Sequence, residues 1–227
     1  MPRPRHFPSL VAVLLSLGAC GSAARAPQGA SFQMGPEAAK MRARVDSLRY
    51  PYTQADIDFM SGMIHHHAQA IVISRWAPSH GAGAAVQRLT ARIINAQSDE
   101  INLMQTWLRD RNQGPPEVDS AGVVTMPHGA HGEHEGHAMV MPGMLSDGQM
   151  RELDAARGPE FDRIFLTYMI QHHRGAITMV RALFASRGAG QDETIFKFAA
   201  DVEVDQSTEI SRMLQMLLEH GGTARSQ

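Results

Sequence analysis

Cysteine is almost missing: Cys20 is the single one in the chain. No internal disulfide can form, so a domain of this length must be held together by its apolar core. Neither sign of charge dominates, with 21 Lys and Arg against 23 Asp and Glu, and nothing in their distribution argues for nucleic acid as a partner. Aromatic residues are sparse at 6%, which leaves aliphatic side chains and 15 methionines to fill the interior. No apolar run approaches the ~20 residues of a membrane-crossing helix, and alternating strand patterns are absent throughout. Absent too are a Ser/His/Asp or Cys/His arrangement and a Gly-rich phosphate loop, so the common catalytic signatures do not apply and a non-enzyme is favoured.

What the chain does contain begins with an export signal. Arg3 and Arg5 precede the apolar run from Leu10 to Leu17, and Gly18-Ala19-Cys20 follow it, which reads residues 1–20 as a signal peptide. Leu17-Gly18-Ala19-Cys20 resembles a bacterial lipobox, in which Cys20 would become the lipid-bearing first residue; cleavage after a small residue without lipid is the alternative. Both readings export the protein, and the first predicts a membrane-anchored lipoprotein facing the periplasm or the cell surface, with no other membrane contact. Residues 21–35, rich in Ala, Ser, Gly and Pro, read as a flexible tether.

The folded part is organised around a stretch that occurs twice. Met63-Ile64-His65-His66-His67 returns 106 residues later as Met169-Ile170-Gln171-His172-His173. Asp56, Phe59, Ala70 and Ile71 also align, without a gap, on Asp162, Phe165, Ala176 and Ile177. Farther on, Gln97, Glu100, Ile101, Met104 and Leu108 fall on Gln206, Glu209, Ile210, Met213 and Leu217 at an offset of 109. A unit of about a hundred residues is too long for a solenoid repeat, so the expected product is one bundle of two similar halves.

Apolar residues at helical spacing, with Pro and Gly as punctuation, define the elements. A short helix starts at Pro36, and Tyr50-Pro51-Tyr52 ends it. Thr53 and Asp56 open a long helix from Gln54 to Ala77, closed by Pro78, and a second apolar stripe runs from Val86 to Leu108 before Gly114-Pro115-Pro116. Residues 36–114 thus form a first helical hairpin with its leading helix. Residues 115–145 carry no apolar period and read as a loop or disordered insert. Residues 146–222 form the second hairpin: Ser146 caps a short helix, Gly158-Pro159 start a long one to Arg187, and another runs from Asp192 to His220, ending at Gly221-Gly222.

On a helix of 100° per residue Met63 and His67 share a face, with His66 slightly offset, so one helix presents a thioether and two imidazoles along an otherwise apolar stripe. The other copy repeats this with Met169, His172 and His173. Imidazole suits copper and zinc, whereas thioether is soft and selects Cu(I) or Ag(I). Adjacent histidines cannot both aim at one point, so one should face inward and its neighbour an adjacent helix. Asp56 and Asp162 are candidates for fixing ring orientation through the free N–H. The competing reading is that these rings are core histidines satisfied by Gln97, Glu100, Gln206 and Glu209. Two pairs, each with an upstream Met, favour metal. His65, opposite Gln171 in the other copy, is expected to face solvent; His80 and His220 read as surface groups, and Trp76 and Trp107 as packing residues.

The insert adds a second set of donors. His128, His131, His134 and His137 recur every third residue among glycines, with Met126 before them and Met139, Met141 and Met144 after. That composition points to metal capture, and the methionines point to a soft ion. A solvated linker with incidental histidines is the alternative.

The doubled Asp-x-x-Phe-x-x-x-Met-Ile-x-His-His pattern, the downstream Gln-x-x-Glu-Ile-x-x-Met and the Met-Pro-Gly-Met-Leu-Ser bridge at 141–146 resemble domain of unknown function 305. That is a family of bacterial secreted and lipid-anchored proteins with a ferritin-like helical bundle. The resemblance spans roughly residues 53–220 and implies a periplasmic or surface protein, some members being linked to copper or silver resistance. Carried onto this chain, it implies Met63, His66, His67, Met169, His172 and His173 as ligands.

The expectation is therefore an all-α protein: a four-helix, ferritin-like bundle of two duplicated hairpins, plus short accessory helices. Its expected function is extracytoplasmic metal binding, most of all sequestration or transfer of copper, as Cu(I) or Cu(II), with Ag(I) or Zn as further cargo. A second copy or a metal-transfer protein could be a partner. The alternatives are a metal-dependent oxidase or peroxide-handling enzyme on a ferritin-like bundle, and a structural or partner-binding envelope domain with core histidines. Di-iron bundles carry Glu-x-x-His on one helix, whereas here the Gln-x-x-Glu motifs and the histidines lie on different helices.

Overall fold

A computed structural model of the chain describes residues 35–49, 51–120, 122–125 and 141–223. Cys20 and the export signal, His128, His131, His134, His137 and Met139 of the insert, and the side chain of His220 lie outside the described residues. Within them the protein is helical: α1 (Pro36–Arg49), α2 (Gln54–Arg75), α3 (Ala84–Asp110), α4 (Asp147–Ala155), α5 (Gly158–Ala185) and α6 (Glu193–Thr223). The insert corrects the expectation that strands are absent. Its first residues form a small antiparallel ribbon, β1 (Glu117–Val118) on β2 (Val124–Thr125), turned by Gly122 at φ +86°. No helix among the described residues is long and apolar enough to cross a membrane.

The helix starts follow local chemistry. Thr53 and Asp56 close a capping box on α2, and Ser146 and Gln149 close another on α4. Gly158 at φ +57° and Pro159 launch α5 without a side-chain cap. At the other end α6 continues through Gly221 and Gly222 to Thr223, beyond the expected stop. Neither glycine there takes the left-handed conformation that terminates a helix.

Helix α2 packs along α3, α5 along α6, and α2 against α5. The apolar residues gather in two clusters. One joins Ala70 and Ile73 of α2, Val86 to Ile93 of α3, Phe161 to Ile170 of α5, and Met213 and Met216 of α6. The other joins Phe59 to Ile71 of α2, Ile101 to Leu108 of α3, Ala176 to Leu183 of α5, and Ile195 to Val202 of α6. In all four helices the polar residues that recur in both copies lie between these clusters: His66 and His67, Gln97 and Glu100, His172 and His173, Gln206 and Glu209. A polar layer therefore crosses the apolar core at mid-height.

Asp56 and Asp162 do not belong to that layer. Asp56 Oδ1 accepts from the backbone N–H of Gly190 at 2.7 Å, and Asp162 accepts from the N–H of Gly83 at 3.0 Å. Asp56 sits in the first turn of α2 and Asp162 near the start of α5, and each holds the turn of the other hairpin. They brace the two hairpins rather than orient histidines, because ten residues of helix rise about 15 Å from Asp56 to His66 and from Asp162 to His172.

Candidate metal centre

His66, His67, His172 and His173 are all fully buried, at 0% exposure. The two members of each doublet diverge, as adjacent helical positions must. His67 turns to α3, where Nε2 donates to Glu100 Oε2 at 2.5 Å, and His173 turns to α6, where Nε2 donates to Glu209 Oε2 at 2.7 Å. His66 and His172 turn to each other across the α2–α5 contact, with ring centroids 3.8 Å apart.

A carbonyl oxygen has no proton to give, so the bonds of this inner couple fix their tautomers. His66 Nε2 donates to Pro142 O at 3.0 Å, and His172 Nε2 donates to the backbone O of His66 at 3.0 Å. All four Nε2 atoms are thus engaged with oxygen, and a neutral ring in this arrangement keeps its lone pair on Nδ1. All four Nδ1 atoms are buried and without a hydrogen-bond partner. A buried acceptor left unpaired costs about 1–3 kcal/mol, so four at one level of the core call for an explanation.

Electrostatics keep the inner rings neutral. Burial first, then the neighbouring His67, lowers the pKa of His66 to about 3, despite the opposing bond to Pro142. His172 is held well below its ordinary value by burial and then by the nearby His66, His173 and His67. A neutral imidazole with one N–H tied to oxygen is the state that ligates a metal ion, and a carboxylate or carbonyl on that N–H is its usual outer partner.

The remaining sequence candidates are placed as follows. Met63 and Met169 are fully buried one turn before His67 and His173, and they pack into opposite apolar clusters on either side of the layer. Glu100 and Glu209 hold the outer rings, with side chains 21% and 24% exposed. Gln97 and Gln206 do not satisfy the rings: both amide atoms of Gln97 and Oε1 of Gln206 are buried and unpaired. Met141 and Met144 are half-buried, and Met141 lines an apolar cavity of about 600 Å³ with His65 and Met179. His65 is thus half-buried rather than turned to solvent, and burial lowers its pKa.

His80 also departs from its expected surface position. It is 6% exposed, its ring stacked on Trp76 and its Nε2 donating to Asp154 O at 3.0 Å. The tight turn after α2 folds it beneath the start of α5, where its own carbonyl accepts from Gly158 N at 2.8 Å. Trp107 is a core residue as expected, its Nε1 donating to Asp192 Oδ1 at 3.1 Å.

Sequence reasoning missed the part played by residues 141–146. This strap crosses both histidine helices. On α2, Gln69 accepts from Leu145 N at 2.7 Å and donates to Leu145 O at 3.0 Å. On α5, Gly175 lies so close that a Cβ there would stand 1.9 Å from Pro142 O. The signal was present, since the two copies differ at 65 against 171 and at 69 against 175, on the turns of helix the strap covers.

Among the described residues no group of three or more His, Cys, Asp or Glu side chains is set to hold a metal ion. The layer consists instead of an inner imidazole couple flanked by two imidazole–carboxylate couples, with buried thioethers alongside.

The sequence profile of the family described as Domain of unknown function (DUF305) matches residues 56–217. A DUF305 protein of Streptomyces coelicolor, described as secreted, is 26% identical and covers 74% of this chain and 94% of its own, with a TM-score of 0.59. CopM in its Cu(II)-bound form is 27% identical over 72% of this chain and 96% of its own, with a TM-score of 0.53. Its Cu(I)-bound form is 25% identical, with a TM-score of 0.52. An uncharacterized protein of Acanthamoeba polyphaga mimivirus is 39% identical over 62 residues, which span 26% of this chain and 41% of that protein.

Proposed function

The chain belongs to the DUF305 family, and on that premise we propose that it is an extracytoplasmic metal-binding protein that sequesters copper, or passes it on, through its buried histidine layer. The observation that carries this reading is the set of four buried, unpartnered Nδ1 atoms, each on an imidazole whose Nε2 meets an oxygen. Neutral nitrogen and thioether donors fit Cu(I) and Ag(I) best, and imidazole with carboxylate support also fits Cu(II) or Zn. The likeness to CopM, which is solved with both Cu(II) and Cu(I), supports copper as the cargo. Likeness to a secreted relative supports export, and the lipobox-like Leu17-Gly18-Ala19-Cys20 is the ground for lipid attachment at Cys20.

In this reading the packing of α2 on α3 and of α5 on α6 makes a ferritin-like bundle from two copies of one hairpin, and the ligands come from both copies. Met63, His66, His67, Met169, His172 and His173 form the centre, and Glu100 and Glu209 hold the outer rings. The insert residues His128, His131, His134, His137, Met139, Met141 and Met144 capture ions at lower affinity and deliver them. Catalysis is the weaker reading, since the carboxylates and imidazoles sit on different helices and lack the Glu-x-x-His pairing of di-iron oxidases.

The test is anaerobic titration of the mature protein, and of a form lacking residues 126–140, with Cu(I), Ag(I), Cu(II) and Zn(II), followed by X-ray absorption spectroscopy. Stoichiometric uptake with nitrogen and sulfur scatterers, lost in a folded His66→Leu/His172→Leu double variant, is the expected result. Unchanged uptake in that variant moves binding out of the layer. No uptake by any form leaves a structural domain with core histidines.

A further inference from the structure

The polar layer meets solvent between α3 and α6. A cavity of about 300 Å³ there is lined by Gln97, Glu100, Asp205, Gln206 and Glu209, with the exposed Arg92 and Arg212 also in its wall. Its floor is the outer side of the histidine layer, since Oε2 of Glu100 and Oε2 of Glu209 accept from His67 and His173. Both of these carboxylates line the cavity as well.

Two features of the cavity bear on what it could hold. The first is a gathering of carboxylates: Glu100, Asp205 and Glu209 line it together, outnumbering the two exposed arginines in its wall. The second is an unanswered pair of amides. Gln97 and Gln206 are 2% and 4% exposed, both line the cavity, and the Oε1 of each has no hydrogen-bond partner. A cation entering the cavity would meet carboxylates from both copies of the repeat and relieve their crowding, and a turn of each glutamine amide toward it would give the unpaired carbonyls a partner.

We propose that this cavity is a loading site, in which a divalent cation that keeps part of its water shell is held by carboxylate and amide oxygens before transfer to the imidazoles beneath. Oxygen donors select divalent, harder ions over Cu(I) and Ag(I). The transfer step is ligand exchange: metal–oxygen bonds to Glu100 and Glu209 and to water break, and metal–nitrogen bonds to Nδ1 form with no change in oxidation state. The inference rests on the metal-binding reading above and adds the route and the class of ion.

Rates separate the two. Stopped-flow mixing of the full mature protein with Cu(II), Zn(II) or Ag(I) would compare wild type with Asp205→Asn and with a Gln97→Leu/Gln206→Leu double variant, none of which alters a group bonded to a ring. The expected result is Cu(II) and Zn(II) loading slowed about tenfold or more, with final stoichiometry and helical content kept and Ag(I) loading unchanged. Unchanged divalent rates overturn the loading site while leaving the metal centre standing. Equal slowing of Ag(I), or lost stoichiometry in a folded variant, also overturns it, because the cavity would then belong to the centre or to a general gate. Should the double variant fail to fold, ionic strength gives a second reading on Asp205→Asn. Wild-type loading should fall with salt as the carboxylates are screened, and the variant should fall less steeply; parallel slopes overturn the proposal. Absence of any uptake by wild type defeats the functional reading first and this one with it.

Discussion

Replacing Gly175 by Ala should uncouple His66 from the strap. A Cβ at 175 would lie 1.9 Å from Pro142 O, 2.5 Å from Pro142 C and 2.6 Å from Gly143 Cα. All three are backbone atoms, so no rotamer change relieves the contact. The reciprocal contact is as tight, since a Cβ on Gly143 would stand 2.6 Å from Gln171 O, and Gly143 also needs its φ of +79°. The strap must therefore lift by an ångström or more. His66 Nε2 now donates to Pro142 O at 3.0 Å, and a shift of that size ends the bond. Overpacking costs about 1–3 kcal/mol, and a buried N–H left without an acceptor costs about 1–3 kcal/mol. Ala in place of Gly returns roughly 1 kcal/mol of helix propensity. The net expectation is a loss of about 3 kcal/mol, read as the shift in denaturation midpoint of the metal-free protein at unchanged slope. Gly62→Ala is the control, because its Cβ would meet only the flexible Met179 Cε at 3.4 Å and Met141 Sδ at 3.6 Å. That variant should match or slightly exceed wild type. Should Gly175→Ala prove as stable as Gly62→Ala, the strap is not seated on α5 and His66 has no fixed acceptor.

Acid should destabilise the metal-free protein. His66 has a pKa of about 3 in the fold against 6.5 as the ordinary value, so between those limits the unfolded chain binds more protons. Its contribution is complete above pH 6.5 and lost as pH falls, by roughly 3 kcal/mol at pH 4.5, with His172 acting in the same direction. Urea midpoints at pH 7, 5.5 and 4.5 that do not move would refute it. At the end of the bundle, Asp192 pairs with the buried Arg111 at 2.6 Å, accepts from Trp107 and caps α6 through Thr194 N and Ile195 N. Asp192→Ala leaves a buried guanidinium without its partner and should cost about 3–5 kcal/mol in thermal or chemical unfolding. A loss under about 1 kcal/mol would mean that Arg111 reaches water.

Helix positions were legible because the apolar spacing of a helix is periodic. Thr53 with Asp56 and Ser146 with Gln149 announce their helices through short-range chemistry, and the structure starts helices at those places. The partner of each histidine was not legible. Two rings 100° apart must diverge, yet only packing decides that His67 meets Glu100 while His66 meets His172 and Pro142. Asp56 and Asp162 misled for a different reason: they share a stripe with the histidines, but the ten-residue spacing already sets them about 15 Å from His66 and His172 along the axis, and their carboxylates end on Gly190 and Gly83. The Asp192–Arg111 pair, far apart in sequence, gave no periodic signal at all.

Departures from the repeat carry as much information as the repeat itself. Gln69 clamps Leu145 from α2, and at the matching place on α5 Gly175 makes room for Pro142. One strap cannot serve both copies, so His66 donates to the strap while His172 donates to the backbone of His66. The inner couple is thereby inequivalent within a symmetric surround of outer couples. Stability alone does not account for this layer. Its four unpaired Nδ1 atoms and two unpaired glutamine carbonyls each carry a desolvation cost of about 1–3 kcal/mol. Apolar residues of similar volume would remove that cost, and the clusters above and below the layer show that this chain supplies such residues freely. On the metal-binding reading proposed above, a bound cation would offset that cost, and both copies hold imidazole, amide and carboxylate at the same height.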